Sequence, residues 1–261
     1  SLELIIRAGA GVNNIDLEKA SSSGVYVANC PGKNSDAVAE LALGHIIACD
    51  RRIVDASLDL RSGNWKKKTY QKAAGLKGRT LGIIGLGSIG SALAKLAKGL
   101  DMNVIAWSRS LTPDKADELD LVYCDSIGEV AANADVVSVH LAVTPDTKQL
   151  LNNDFFNKMK DGAIFVNTSR GEIVDTAALR KAIDEKALRV GLDVFENEPG
   201  SGLAEFDQTD LADLITCTPH IAASTNQASE AIADEVVRIV DSLIEEYETE
   251  NKFDLVICEG L

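Results

Sequence analysis

Thr80-Leu81-Gly82-Ile83-Ile84-Gly85-Leu86-Gly87-Ser88-Ile89-Gly90 joins an apolar, strand-like run to three spaced glycines. Ala92-Leu93-Ala94-Lys95-Leu96-Ala97 continues it with helical character. A glycine fingerprint between a strand and a helix is the context that holds a dinucleotide pyrophosphate. Gly85 permits the tight turn, Gly87 lets the backbone approach the phosphates, and Gly90 lets helix and strand pack closely. The helix N-terminus adds unbonded N–H groups and positive potential.

Working outward, strand-like and helical runs alternate. Strands are expected at Thr80–Ile84, Val104–Trp107, Leu121–Cys124, Val136–His140, Ala163–Asn167, Val190–Val194 and Leu214–Cys217. Most are continuous apolar runs, as in strands buried on both faces of a parallel sheet. Helical stretches between them make βαβ units, so the expected class is α/β, a doubly wound parallel sheet of Rossmann type. Strands at Leu4–Arg7 and Val25–Ala28 flank a short helix, Asp16–Ser22. Ser35 to Gly63 has helical spacing, as one long helix or two in tandem. After Ser229 an amphipathic helix leads to an acidic tail.

The chain has 261 residues, 46% of them hydrophobic, and a formal net charge of −14. That composition builds a core and repels nucleic acid and anionic membranes. No apolar run approaches the ~20 residues that span a bilayer, and no signal peptide is read. Cys30, Cys49, Cys124, Cys217 and Cys258 are scattered without metal or redox spacing. They read as reduced thiols of a cytoplasmic protein, with no metal site.

The strand ending at Trp107 should lie beside an adenine ribose, where NAD sites usually carry an acid. This chain reads Trp107-Ser108-Arg109-Ser110 instead. Arg109, Ser108 and Ser110 suit a 2′-phosphate, which favours NADP tolerance. An arginine stacked on the adenine is the alternative.

Arg170 follows a strand at the carboxyl edge of the sheet, where open α/β folds bind ligands. Its planar fork suits a carboxylate, and Gly171 allows the turn that projects it; an ion-paired structural arginine is the bland reading. His220 follows the last strand, and its ordinary pKa near 6.5 suits proton transfer in either direction. Glu198 is the carboxylate available to orient it. His140 reads as structural, and His45 as packing or interface.

The chain resembles the D-isomer-specific 2-hydroxyacid dehydrogenases, and within them the D-3-phosphoglycerate dehydrogenases. The resemblance is carried by Arg7-Ala8-Gly9-Ala10-Gly11, Asn29-Cys30-Pro31-Gly32, Val38-Ala39-Glu40-Leu41, the glycine fingerprint, Asn167-Thr168-Ser169-Arg170-Gly171, the segment Asp193 to Pro199, Thr218-Pro219-His220 and Ala222-Ala223-Ser224-Thr225. It implies hydride transfer between NAD or NADP and a D-2-hydroxy acid, with Arg170 binding substrate and Glu198–His220 as the acid/base pair. It implies 3-phosphoglycerate and 3-phosphohydroxypyruvate, the chemistry that opens serine biosynthesis. Ser88, Ile89, Thr168, Ser169, Asp193 and Ala222 would join the glycines around the cofactor, and Arg7, Ala8 and Gly9 would face the substrate. Lys67, in Trp65-Lys66-Lys67-Lys68, would serve a neighbouring subunit's phosphate site or be a solvated basic end. A homodimer through the nucleotide domain is implied.

The second, smaller domain is expected at residues 1–32 and 222–261, a flavodoxin-like substrate domain truncated at its N-terminus, around a dinucleotide-binding domain at 33–221. No regulatory domain is expected after Leu261. Two other readings stand beside this one. One is a hydroxypyruvate or glyoxylate reductase using NADPH. The other is a dinucleotide-sensing scaffold of the same fold that binds tightly and turns over slowly.

Overall fold

A computed structural model describes residues 2–12, 14–199, 205–248 and 255–258. Its strands are β1 (Leu4–Arg7), β2 (Tyr26–Asn29), β3 (Thr80–Ile84), β4 (Asn103–Trp107), β5 (Val122–Tyr123), β6 (Val136–Val139), β7 (Ile164–Asn167), β8 (Arg189–Leu192), β9 (Thr216–Cys217) and β10 (Leu255–Cys258). The chain divides into two compact units, Ser1–Ala37 with Ala223–Leu261, and Val38–Ala222.

The larger unit is built on a seven-stranded sheet in the order β5-β4-β3-β6-β7-β8-β9. Every strand pair in it is parallel. The chain winds outward from β3 in one direction and from β6 in the other, so the topological switch point lies between them. Ligands of open α/β sheets bind in the crevice at the carboxyl ends of such strands. β6 and β7 are buried along their whole length, as their unbroken apolar runs predict. One sheet face packs Phe155, Phe156 and Phe165, whose rings meet edge to face. The other packs Ile46, Leu81, Ile83 and Leu93.

The edge strands β5 and β9 hold two residues each, shorter than the apolar runs at Leu121–Cys124 and Leu214–Cys217 suggest. Each has a partner on one side only, so fewer ladder bonds hold their ends. The helical stretch from Ser35 splits into Ser35–Arg51 and Ile53–Arg61. Arg52 between them adopts a left-handed φ of 51°, which no α-helix accommodates. Its guanidinium bonds Asp55 at 2.9 Å and lies over the Tyr70 ring.

The smaller unit has a parallel three-stranded sheet in the order β10-β1-β2. Leu4 and Ile6 pack on Val236, Ile232, Ile239 and Val240 of the helix Asn226–Glu248. The acidic tail expected at the end instead contains β10, paired with β1 from Leu4↔Leu255 to Arg7↔Cys258. Only four apolar residues lie between charged and polar neighbours there, too short a run to stand out by period. What favours the pairing is β1, an apolar strand whose edge otherwise presents unpaired backbone groups.

Candidate active site

The fingerprint folds as a turn whose glycines meet different demands. Gly85 has φ 98°, and a Cβ on it would lie 2.3 Å from the carbonyl oxygen of His140. A Cβ on Gly90 would lie 2.3 Å from the carbonyl oxygen of Gly85, so the helix Ser88–Gly99 packs against its own turn. Gly87 differs, because a Cβ there would meet nothing within 4 Å. It caps the helix with no side-chain bond to the first-turn N–H groups, leaving a donor-lined space at the switch point. Thr168 adds a buried hydroxyl with no partner among the described residues. Open space, unbonded helix N–H groups and an orphaned hydroxyl fit a bound dinucleotide, with phosphates at Gly87 to Gly90.

Gly87→Ala tests that fit. Gly87 has φ −86°, which alanine adopts freely, so the fold should be unaffected. A methyl group in the phosphate space should cost about 1–3 kcal/mol of dinucleotide affinity. Fluorescence titration with NADH reads it, and unaltered affinity would take the phosphates away from Gly87.

Beyond β4, Ser108 is half-buried and Arg109 and Ser110 are exposed. No acid stands there, and the Trp107 carbonyl accepts from Gly85 N–H at 2.8 Å, tying the strand end to the fingerprint.

Arg170 is presented by a loop that the side chain of Asn167 holds from within. Asn167 is 1% exposed. Its amide donates to the Arg170 carbonyl at 2.8 Å, and its Oδ1 accepts from the Ser169 N–H and hydroxyl at 2.9 and 2.7 Å. The Ser169 hydroxyl proton is therefore committed within the loop, although Ser169 was expected at the cofactor. A Cβ on Gly171 would lie 2.0 Å from the backbone of Phe195, so only glycine lets this loop meet the segment that bears Glu198. The half-buried Arg170 guanidinium has one intramolecular bond among the described residues, to the Ser169 carbonyl at 2.6 Å.

His220 and Glu198 are joined by a bond of 2.6 Å from Nδ1 to Oε2. The other oxygen of Glu198 accepts from the Phe195 N–H at 2.9 Å. The ring is 45% exposed, so Nε2 is left for a substrate. The bond to Glu198 raises the His220 pKa above its ordinary value, against burial and the Arg170 charge. Burial acts to raise the Glu198 pKa, but the bonds from His220 and Phe195 outweigh it and hold the carboxyl below its usual range. A carboxylate on Nδ1 sets the tautomer, keeps the ring orientation and stabilises the imidazolium, so the pair can give or take one proton.

His220 itself has a left-handed φ of 53°, and Asn197 one of 56°. Such conformations cost of order 1–3 kcal/mol each and persist where the surroundings over-determine them. Here the carboxylate of Asp193, 0% exposed, accepts from the Thr218 hydroxyl at 2.6 Å, Ile221 N–H at 2.9 Å and Ala222 N–H at 2.8 Å. The Asp193 carbonyl accepts from the His220 N–H at 2.8 Å. Asp193 was expected beside the nicotinamide, and its side chain fastens the turn that carries His220.

The remaining expected residues are placed as follows. Ile89 and Ser88 open the helix of the fingerprint, and Ala222 is buried at the end of the His220 turn. In the smaller unit, Arg7 Nη1 donates to the Ala8 carbonyl at 2.5 Å, and a Cβ on Gly9 would collide with that guanidinium at 2.0 Å. Lys66 is tied to Asp59 at 2.7 Å, whereas Lys67 lies exposed in a 3-10 turn, Lys67–Tyr70. His140 bonds Ser138 at 2.9 Å, and burial pushes its imidazole down to about 4. Asn167 and His45 were missed as site residues. Each had a signal, as a polar side chain within an otherwise buried apolar run.

Comparison with known proteins agrees with this geometry. The family model for the D-isomer specific 2-hydroxyacid dehydrogenase NAD-binding domain matches residues 43–222. The chain is 40% identical to glyoxylate reductase of Thermococcus litoralis, covering 91% of this chain and 72% of that protein. It is 39% identical to D-3-phosphoglycerate dehydrogenase of Archaeoglobus fulgidus over 93% of this chain, spanning 46% of that longer protein. D-lactate dehydrogenase of Aquifex aeolicus, solved with NAD and lactic acid, superposes with a TM-score of 0.83 at 30% identity, covering 94% of this chain and 77% of that one.

Proposed function

The chain belongs to the D-isomer-specific 2-hydroxyacid dehydrogenases, and from that premise we propose that it interconverts 3-phosphohydroxypyruvate and D-3-phosphoglycerate. The observation that carries proton-coupled hydride chemistry is the 2.6 Å His220–Glu198 bond. A nicotinamide dinucleotide held with its phosphates at Gly87 to Gly90 would supply the hydride chemistry at the keto carbon. Arg170 holds the substrate carboxylate by its two-pronged guanidinium, with the neighbouring keto oxygen toward the positive charge. His220 gives its Nε2 proton to the developing alkoxide oxygen and, in the oxidation, removes it from the hydroxyl. Glu198 stays ionised and steadies the imidazolium. Arg7, Ala8 and Gly9 of the smaller unit are the further substrate-binding residues of this reading.

The phosphorylated substrate is supported by the exposed Lys67 beside a Lys66 already paired with Asp59. Relatives named D-3-phosphoglycerate dehydrogenase support it too. In a homodimer through the nucleotide unit, Lys67 serves the partner's phosphate site. Self-association is supported by the helix Ile53–Arg61, which buries none of its residues. It exposes Ile53, Leu58 and Leu60 at 49%, 56% and 56%. Sedimentation should give twice the chain mass, and a monomer at assay concentration would remove the role of Lys67 in trans.

The second reading, a hydroxypyruvate or glyoxylate reductase using NADPH, is favoured by the acid-free Trp107-Ser108-Arg109-Ser110 segment. Relatives named glyoxylate reductase and hydroxypyruvate reductase also favour it. The deciding experiment follows NADH and NADPH oxidation with 3-phosphohydroxypyruvate, hydroxypyruvate and glyoxylate. Preference for the phosphorylated acid supports the first reading. Preference for the small acids with NADPH replaces it with the second. Tight dinucleotide binding without turnover on any keto acid leaves a dinucleotide-sensing scaffold.

Arg109→Ala should weaken NADPH more than NADH, by about 1.5–3 kcal/mol for a charge-assisted contact to the 2′-phosphate. Equal losses on the two cofactors would leave only stacking on the adenine.

A further inference from the structure

His45 lies on the buried stripe of the helix Ser35–Arg51 with Ala42, Ile46 and Cys49, and is itself 3% exposed. A polar ring on that stripe must meet a partner. Its partner is the Thr218 hydroxyl, 3.0 Å from Nε2. The same hydroxyl lies 2.6 Å from Asp193 Oδ1. A hydroxyl has one proton to give, and the shorter contact to a carboxylate is where it goes. Thr218 is then an acceptor toward His45, which makes His45 the Nε2–H tautomer. The approach is built in, because a Cβ on Gly191 of β8 would lie 2.8 Å from the His45 Cβ.

We infer that His45 is a positioning residue for His220, acting through Thr218 and Asp193 to hold the strained turn in which His220 meets Glu198. The inference rests on the proposed proton-transfer role of His220. By donating to Thr218, the ring directs the hydroxyl proton onto Asp193. Asp193 thereby keeps three donors and its grip on Ile221 and Ala222, the two residues that follow His220. The opposite tautomer would accept the Thr218 proton, leaving a fully buried carboxylate one donor short and the turn looser. Burial lowers the His45 pKa against the raising effect of Asp193, so the ring stays neutral and the relay keeps one polarity. Among the described residues, the charged groups that face His220 are Glu198, Arg170 and Asp193, and Asp193 faces His45.

The chain has three histidines, so their imidazole signals can be separated by NMR in the full protein without substrate. The native protein should show His45 as the neutral Nε2–H tautomer throughout the titration of His220. His45→Met, which keeps volume but loses the donor, should move the His220 midpoint down toward the ordinary imidazole value, because the bond to Glu198 loosens. His45→Gln, whose amide donates from a similar position, should leave that midpoint near native. Thr218→Val cuts the same relay from its middle and should reproduce the shift if the methionine variant folds poorly. In keto-acid reduction, His45→Met should lose about tenfold in kcat, as expected for a misplaced catalytic group, with KM and NADH binding kept.

A His220 midpoint unchanged in both His45→Met and Thr218→Val, or an Nδ1–H tautomer at His45, would overturn the assignment even if thermal stability falls. A native protein without turnover sinks the dehydrogenase reading instead, while the NMR shift still decides whether His45 governs His220.

Discussion

His220→Asn is expected to lower keto-acid reduction by roughly 10²- to 10⁴-fold, the range that general acid–base catalysis supplies, while dinucleotide affinity stays near native. Asparagine is a discriminating replacement because it tolerates the left-handed φ of 53° that His220 adopts. The bonds that the Ile221 and Ala222 N–H groups donate to the Asp193 carboxylate can therefore survive, and only the titrating ring is lost. The native pH profile makes the same point. Reduction needs the protonated ring, so its rate is highest at low pH and falls as pH rises through the His220 pKa. Oxidation needs the neutral ring and rises through the same value. Because the bond to Glu198 raises that pKa, both limbs should lie above the ordinary imidazole value. Glu198→Gln should bring them down. Ordinary turnover in His220→Asn, or limbs that ignore Glu198→Gln, would place the proton transfer elsewhere.

Arg170→Ala is expected to lower kcat/KM for 2-keto acids by roughly 10²- to 10³-fold, the cost of removing a preorganised charge-stabilising donor. Dinucleotide binding and thermal stability should change little. The guanidinium has one intramolecular bond among the described residues, and Asn167 and Gly171 shape the loop without it. Arg170→Lys should recover only part of the loss, since an ammonium restores charge but not the planar fork. Steady-state kinetics beside NADH titration separates the effects. An alanine variant with native kcat/KM would return Arg170 to an ordinary loop arginine.

How much of this was legible beforehand depends on the range over which each signal acts. Strand β3 and its fingerprint are local: an apolar run, three glycines and a helix within eighteen residues, Thr80 to Ala97. Continuous apolar runs also marked β6 and β7, because burial on both faces leaves no alternation to misread. The ends of β5 and β9 were not legible, since edge pairing decides where they stop. β10 was not legible because its pairing to β1 joins residues some 250 apart in the chain. The Arg52 break was hidden because arginine, unlike glycine or asparagine, does not announce a left-handed φ.

The sequence by itself determined the doubly wound α/β class and the chemistry-bearing types Arg170, Glu198 and His220, since both follow from local pattern and side-chain chemistry. Only the tertiary structure decided that Glu198 reaches His220 at 2.6 Å, that Asp193 fastens the turn beneath it, and that His45 stands behind Thr218. Those contacts depend on which strands become neighbours in the sheet and on the buried carboxylate needing every available donor. No spacing along one chain records either.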